Sequence, residues 1–577
     1  MSQTLTNIRD VELDDMESNL NELVARLRGQ ERRLGRPVRV LLIGNIANNA
    51  FHLAKLLRRI GLDCDVICPH YYHIMGCPEW EDADFEGEFG NDFSPQWSKV
   101  KFENYDRPRW FAQGPTRLCI DYLEARILKK AKESDCLWNS LRGYNGYGAP
   151  VVSNGLLHPG ALLGHARAFF IRLLDFVFSP HRIVTKIGKA AAWLTKQRFP
   201  LSAFGFVLGL LGNLMFGLSK LMLLMHQRDA KIRSQAAAIV ARFHSTFPAR
   251  SDKLDLSDVL PFSRQVTDWR KLFKYYDIVQ GFSTDPIYPM LAGRRYFAFE
   301  HGTLREIPDR PNALGRLTSL AYNRAQHVFV TNADCMDTAR RLAGDRAEYI
   351  NHPYDEDDAV SVARWIELRN KLRDQLDAEF LVFHPTRHDW VPQTGYADKA
   401  NDVIIRGLAR MRNNGISVGA VFCAWGCNVA ESQALVQSLG LKRYVHWEKT
   451  MAMRRFFRTA RACDIVVDQF KLGAIGGVAF KALAAGVPVC TRIDVAKAEQ
   501  AFGAVPPVVN CSTEDEILNS LSRLAANPEA LRRLGADSRA WFCRYHGRNQ
   551  VLIAHLRAYL KELEQVDAGH ERDHAAD

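Results

Sequence analysis

The sequence predicts an α/β protein built from two parallel-sheet domains. Short apolar, β-rich runs ending in Gly, Asn, His or Asp recur along most of the chain, and helical stretches of roughly 12–20 residues separate them. Length supplies the second observation, because 577 residues exceed what one hydrophobic core serves.

Composition places the chain among ordinary folded proteins, with 47% hydrophobic and 24% charged residues. Residues 1–35 are polar, carry no apolar leader run, and read as one N-terminal helix, amphipathic from Leu13 to Leu34. A cytoplasmic protein, peripheral or monotopic at the inner face of the cell membrane, is expected. Twelve cysteines are scattered, and neither Cys64/Cys68 nor Cys423/Cys427 has the partners of a zinc set. Reduced, buried thiols follow, and no metal site. Asp82-Ala-Asp84 does not follow a hydrophobic strand, so it is not read as a metal motif.

The first domain, 36–355, opens with Pro37-Val-Arg-Val-Leu-Leu-Ile-Gly44, a strand ending in Gly. A helical stretch over 45–59 and a strand ending at Cys68 complete a β-α-β unit. The Asn45-Ile-Ala-Asn-Asn49 turn lacks Gly-x-Gly-x-x-Gly, so nothing calls for a dinucleotide or any other cofactor. Residues 70–150, rich in aromatics, Pro and Gly, give few regular elements. Strands resume at Tyr276–Gly281, Arg295–Gly302, His327–Asn332 and Glu348–Pro353, and Pro353–Asp358 reads as a linker. The second domain, 356–545, has strands from Phe380, Ile416, Val445, Ile465 and Val487. A C-terminal helix packing back toward the first domain, then a disordered tail, is expected over 546–577.

One stretch breaks the pattern. Residues 161–228 hold nine Lys/Arg and one acid, Asp175, a local net of +8 out of the chain's +11. Their basic residues alternate with Phe, Leu, Trp and Ile, which suits an anionic lipid surface better than nucleic acid. Phe199–Ser219 is uncharged over 21 residues but contains Pro200 and four glycines. A helical, membrane-associating insertion is expected here, lying on or in the membrane face rather than spanning it, with burial inside the protein as the alternative.

The chemistry concentrates near the end of the second array. Asp464-Ile-Val-Val-Asp-Gln-Phe470 leads into Gly473-Ala-Ile-Gly-Gly-Val-Ala-Phe-Lys-Ala-Leu-Ala-Ala-Gly-Val-Pro-Val489. A Gly-rich turn at a helix N-terminus presents backbone N–H groups to a diphosphate. This segment resembles the donor-binding signature of retaining GT-B glycosyltransferases of the family 4 type. Phe383-His-Pro-Thr-Arg-His388 with Lys399 is similar to that family's Arg and Lys pair, and Glu300-His-Gly-Thr303 resembles the loop that faces the sugar. Asn45-Ile-Ala-Asn-Asn49 resembles the acceptor-side turn. The resemblance covers about residues 37–70 and 275–545 and implies two Rossmann-like domains facing across a cleft.

It also implies the roles. Arg387, Lys399, Gly473, Gly476, Gly477, Lys481, Trp425 and Asp468 fall on the donor side; His301 and Glu300 are catalytic at the sugar; Asn45, Asn48 and Asn49 face the acceptor. The family's two signature glutamates are replaced by Gly473 and Lys481. A cation at the second position cannot accept the ribose hydroxyl bonds that a carboxylate accepts. The expected function is transfer of a sugar from a nucleotide diphosphate sugar to a lipid-linked or polysaccharide acceptor, with retention and without a metal. The alternatives are a non-catalytic binding or scaffold subunit of a membrane glycan-assembly complex, and an epimerase of the same architecture with carboxylates in its cleft.

Overall fold

The computed structural model describes residues 13–69, 73–103, 105–147, 230–391 and 398–574. The basic, apolar stretch 161–228 lies outside the described residues, as does the end of the tail. The described residues 230–264 belong to a second compact unit. In its described part a helix over 230–246 buries Phe243, and His244 Nε2 bonds to the Leu254 carbonyl across 2.9 Å.

The first sheet has seven parallel strands: β1 Arg39–Ile43, β2 Asp63–Cys68, β3 Phe111–Gln113, β4 Ile278–Phe282, β5 Phe297–Glu300, β6 Val328–Val330 and β7 Ala347–Tyr349. Their spatial order is β7-β6-β5-β4-β1-β2-β3. Order reverses beside β1, where Ile43 neighbours Ile67 on one side and Gly281 on the other. Val40 to Ile43 are fully buried, as a central parallel strand covered by helices on both faces requires. The second sheet has six: β8 Phe380–His384, β9 Val418–Cys423, β10 Val445–Glu448, β11 Ile465–Val467, β12 Val489–Thr491 and β13 Val509–Asn510, in the order β10-β9-β8-β11-β12-β13. Its order reverses between β8 and β11. In open α/β sheets such reversals open the crevice in which ligands bind.

The helix Leu13–Leu34 buries Met16, Leu20, Leu23 and Leu27, one face of a 3.6-residue period. It packs in the core of the first domain against the last helix, Arg548–His574, through Val551, Leu556 and Leu560. Tyr559 Oη donates to Gln280 in β4 across 2.8 Å, and Arg295 holds Glu562. The C-terminal helix is thus a piece of the first domain, reached after the helix Pro528–His546 has finished the second.

Two expectations need correction. Residues 73–147 are ordered around short elements: β3, which pairs with β2, and the helices Thr116–Ile127 and Ala131–Tyr144. Pro353–Asp358 is no bare linker. Asp355 caps the short helix Glu356–Val360 by accepting from the Asp357 amide, and Asp355, Asp357 and Asp358 are held by Arg59, Arg548 and Lys55. Four consecutive acids look like solvated chain until basic partners about 300 and 190 positions away are brought to them.

Candidate functional site

The second domain contributes a loop fixed from several sides. His384, the last residue of β8, donates from Nδ1 to the Val467 carbonyl across 2.9 Å, which leaves Nε2 to accept from Asn401 Nδ2 at 2.8 Å. Burial holds this imidazole at a pKa of about 4, so it stays neutral in that tautomer. Asn401 Oδ1 accepts from the Asp389 amide at 3.1 Å, and Asp389 accepts from the Cys427 amide at 2.8 Å. Asn401 is therefore not a helix cap: Ala400 holds that position, and the Asn401 amide turns inward to hold the loop.

On this frame Arg387 pairs through Nε with the buried Asp389 carboxylate while its side chain remains partly exposed. The Lys399 amide donates to the Asp389 carbonyl at 2.6 Å, and the Lys399 carbonyl accepts from Phe470 at 3.1 Å. The β8 loop and the β11 loop are thereby joined, with the Lys399 ammonium in the field of Asp468. Trp425, after β9, donates from Nε1 to the Pro385 carbonyl at 2.7 Å, so a partly exposed indole stands beside the same loop.

The glycine turn follows β11. Gly473 has φ +67°, where a side chain is strained, and its carbonyl accepts from Asp494 at 2.7 Å. A Cβ on Gly476 would lie 2.5 Å from Asp468 Oδ2, so only glycine lets this carboxylate approach the turn. Asp468 is fully buried, accepts from Thr386 Oγ1 at 2.9 Å, and lies against the backbone of Gly476 and Ala479. Gly477, the first residue of the helix Gly477–Ala484, is exposed with nothing near its Cα face. An open helix N-terminus, with Lys399 in the field of the same Asp468 and Arg387 next in the chain to its partner Thr386, is a place where an anion is favoured. Lys481, one turn further, points elsewhere: its Nζ lies 2.9 Å from Met453 Sδ and 5.9 Å from the Tyr354 ring, in the field of Glu81 of the first domain.

The first domain contributes an amide that bridges two imidazoles. Asn49 Nδ2 donates to the Ile46 carbonyl at 2.9 Å, which fixes the amide's orientation. The same nitrogen then donates to His301 Nδ1 at 3.2 Å, and Oδ1 accepts from His352 Nδ1 at 3.1 Å. His301 consequently carries its proton on Nε2. Burial, with help from Arg305, lowers its pKa to about 4, and burial beside His301 and Lys481 lowers that of His352 to about 3. A neutral imidazole whose Nε2–H has no hydrogen-bond partner among the described residues stands at the end of β5.

Glu300 does not share that position. Its side chain is fully buried and accepts from Asn332 Nδ2 at 3.2 Å and from the Cys335 thiol, while Oε1 has no partner among the described residues. Asn45 and Asn48 are also turned inward. Asn45 donates to Asn48 at 2.8 Å and to the Gly76 carbonyl at 2.9 Å, and Asn48 donates to the Met75 and Cys77 carbonyls. They hold a turn in which Ala47 and Asn48 both take positive φ, and of the three asparagines only Asn49 reaches the histidines.

Asp285 was not singled out in the sequence. Three residues beyond β4, its carboxylate lies over Gly44, where a Cβ would collide with it, and it is 3% exposed without a hydrogen bond from the described residues. Burial alone raises its pKa to about 7. The neighbouring Ser283 has φ +57° and accepts from Thr303 Oγ1 at 2.9 Å, tying this loop to the His301 loop. The available signal was Ser283-Thr-Asp-Pro286 at a strand end.

Two parallel sheets, each with a reversal of strand order, meet at their C-terminal ends, where Lys481 follows β11 and His352 follows β7. The architecture is GT-B. No family model matches the chain, and no curated protein sequence matches it. Solved structures do. A crystal structure of Anabaena HepE in complex with UDP is 16% identical over 54% of this chain and 84% of that one, at a TM-score of 0.39. Sucrose-phosphate synthase from Thermosynechococcus elongatus is 16% identical over 54% and 79%, at 0.33. An S. aureus MnaA–UDP structure is 13% identical over 55% and 86%, at 0.34.

Within this GT-B fold the described residues contain no group of three or more His, Cys, Asp or Glu that could hold a metal ion. Asp82 is held by Lys55 and Asp84 by Arg458. Among the described residues no helix is long and apolar enough to cross a membrane.

Proposed function

We propose that this chain is a glycosyltransferase that moves a sugar from a nucleotide diphosphate sugar to an acceptor hydroxyl with retention of configuration. The observation that carries the reading is the convergence of Arg387, Lys399 and the open glycine turn at the ends of β8 and β11. Two cations and a helix N-terminus match two adjoining phosphates, and they stabilise the charge that develops as the diphosphate leaves. No metal is required for that. Trp425 offers a flat face beside Arg387 for the base.

On the facing side, the His301 Nε2–H donates to a sugar hydroxyl or to the departing phosphate oxygen. Asp285, as carboxylate, accepts the hydrogen bond of the acceptor hydroxyl and holds its oxygen toward the anomeric carbon. Glu300 braces the His301 loop from below through Asn332. As the acceptor oxygen bonds to that carbon, the bond to the diphosphate breaks, and the acceptor proton passes to the leaving oxygen on the same face. The acceptor is lipid-linked or a polysaccharide, brought to the inner face of the membrane by 161–228, whose charge and apolar pattern support this step.

A second reading, a non-catalytic binding or scaffold subunit, rests on Lys481 where a ribose-binding carboxylate belongs. The test is donor turnover by the purified full chain in detergent, with products followed by proton NMR. Release of sugar with its anomeric configuration kept supports the transferase. An epimerised nucleotide sugar replaces it with an epimerase, and binding without turnover supports the subunit.

A further inference from the structure

Residues 73–103 leave the first domain after β2, yet Ile74, Cys77, Trp80 and Trp97 share one hydrophobic core with Phe383, Val421, Met453 and Phe456 of the second domain. The helix Pro78–Asp82 packs on the helix Met453–Ala462, and Asp84 and Glu88 pair with Arg458 and Lys449. This excursion is a clasp between the domains. A large apolar contact of this kind opposes the free hinge motion that small polar domain interfaces allow.

Beneath the clasp lies a crevice with four carboxylates in its wall: Glu81, Asp82, Asp355 and Asp358. Lys55 serves Asp82 and Asp358 at 2.8 and 2.6 Å, while Arg59 and Arg548 serve Asp355. Glu81 has Asn48 at 3.2 Å, His52 at 3.3 Å and, through space, Lys481 from the second domain, which lines the same crevice with Tyr354 and Phe480. The only polar contact of the Lys481 ammonium among the described residues is a thioether sulfur; burial lowers its pKa, and Glu81, in the wall of the same crevice, offsets part of that cost.

We propose that Lys481 is a positioning residue: it is the second domain's cation for Glu81 and holds the 73–103 clasp over the helix Gly477–Ala484. A glutamate at 481 would add a fifth carboxylate to a crevice already holding four, and like charges at short range are strongly unfavourable in a partly desolvated site. The departure from the family's glutamate is thereby explained without loss of the phosphate site, since Arg387, Lys399 and Gly477 do not depend on it. This inference rests on the domain contact and not on the transferase reading.

The test is hydrogen exchange by mass spectrometry on the full chain, comparing peptides within 73–103 in wild type, Lys481→Met, Lys481→Glu, Glu81→Gln and the exchange Lys481→Glu with Glu81→Lys. The three single variants are expected to speed exchange in the clasp by about tenfold, with the charge exchange returning it to within about threefold of wild type. UDP and GDP affinities of Lys481→Met should stay within about threefold of wild type. Unchanged clasp exchange in Lys481→Met and Glu81→Gln overturns the proposal. So does a tenfold loss of nucleotide affinity in Lys481→Met with the clasp undisturbed, which makes Lys481 a donor ligand.

Discussion

Asn49 donates to His301 Nδ1 across 3.2 Å, and its orientation is fixed by the Ile46 carbonyl 2.9 Å away. One amide therefore sets the tautomer of the histidine at the end of β5 and accepts from His352 as well. Replacing Asn49 by Asp puts a carboxylate between two imidazoles that now titrate near pH 4 and 3. Both pKa values should rise by about one unit or more, read by NMR of labelled imidazoles. Titration of His301 unchanged in Asn49→Asp would show that the bridge does not govern it.

Asp285 gives a second pH signature with the opposite sign. Its folded pKa of about 7 is raised above the unfolded value of 3.8, so its burial costs nothing below pH 3.8 and its full amount above pH 7. At about 1.4 kcal/mol per unit the gap corresponds to roughly 4 kcal/mol. Asp285→Asn should raise Tm at pH 8 and leave it unchanged at pH 4. The same variant should raise the acceptor KM about tenfold or more at pH 8, with donor affinity intact.

Arg387→Ala and Lys399→Ala should each weaken binding of a nucleoside diphosphate by about ten- to a hundredfold, the range of one or two charge-assisted bonds. Asp389→Ala should produce part of the Arg387 effect, because Asp389 is what aims the guanidinium. Calorimetric titration reads all three.

Burial holds His384, His388, His546 and His555 neutral, with pKa values of about 4, 3, 3 and 3. Lowered folded values mean that their stabilisation is complete above the unfolded value near 6.5 and is lost as pH falls toward 4. Tm should fall by roughly 10 °C or more between pH 7 and 4.5. Replacing His384 by Gln, which keeps an acceptor for Asn401, should flatten part of that slope.

Much of this was legible in the chain. β1, β2 and the strands from Tyr276 onward announce themselves as apolar runs ending in small or polar residues, because strands buried on both faces need them. β3 and β13 were not, being two or three residues long in segments rich in Pro or aromatics. Arg387, Lys399 and the glycine turn could be named from the family resemblance, because local sequence shows which residues stand at a strand end. Side-chain direction could not. Asn45, Asn48 and Asn49 look alike in sequence, yet only Asn49 leaves the turn to meet His301. Lys481 read as an anomaly because Glu81, the carboxylate that shares its crevice, is 400 residues away, and nothing local reveals a neighbour at that separation.

The most direct test of the central claim is calorimetric titration of the full chain with nucleoside diphosphates beside the matching monophosphates, repeated on Arg387→Ala. The phosphate cradle predicts that one diphosphate binds at least about thirtyfold more tightly than its monophosphate, and that Arg387→Ala removes the difference. Equal affinity for the two, or a difference that survives loss of Arg387, would contradict the assignment of the β8 loop and the glycine turn as the donor diphosphate site.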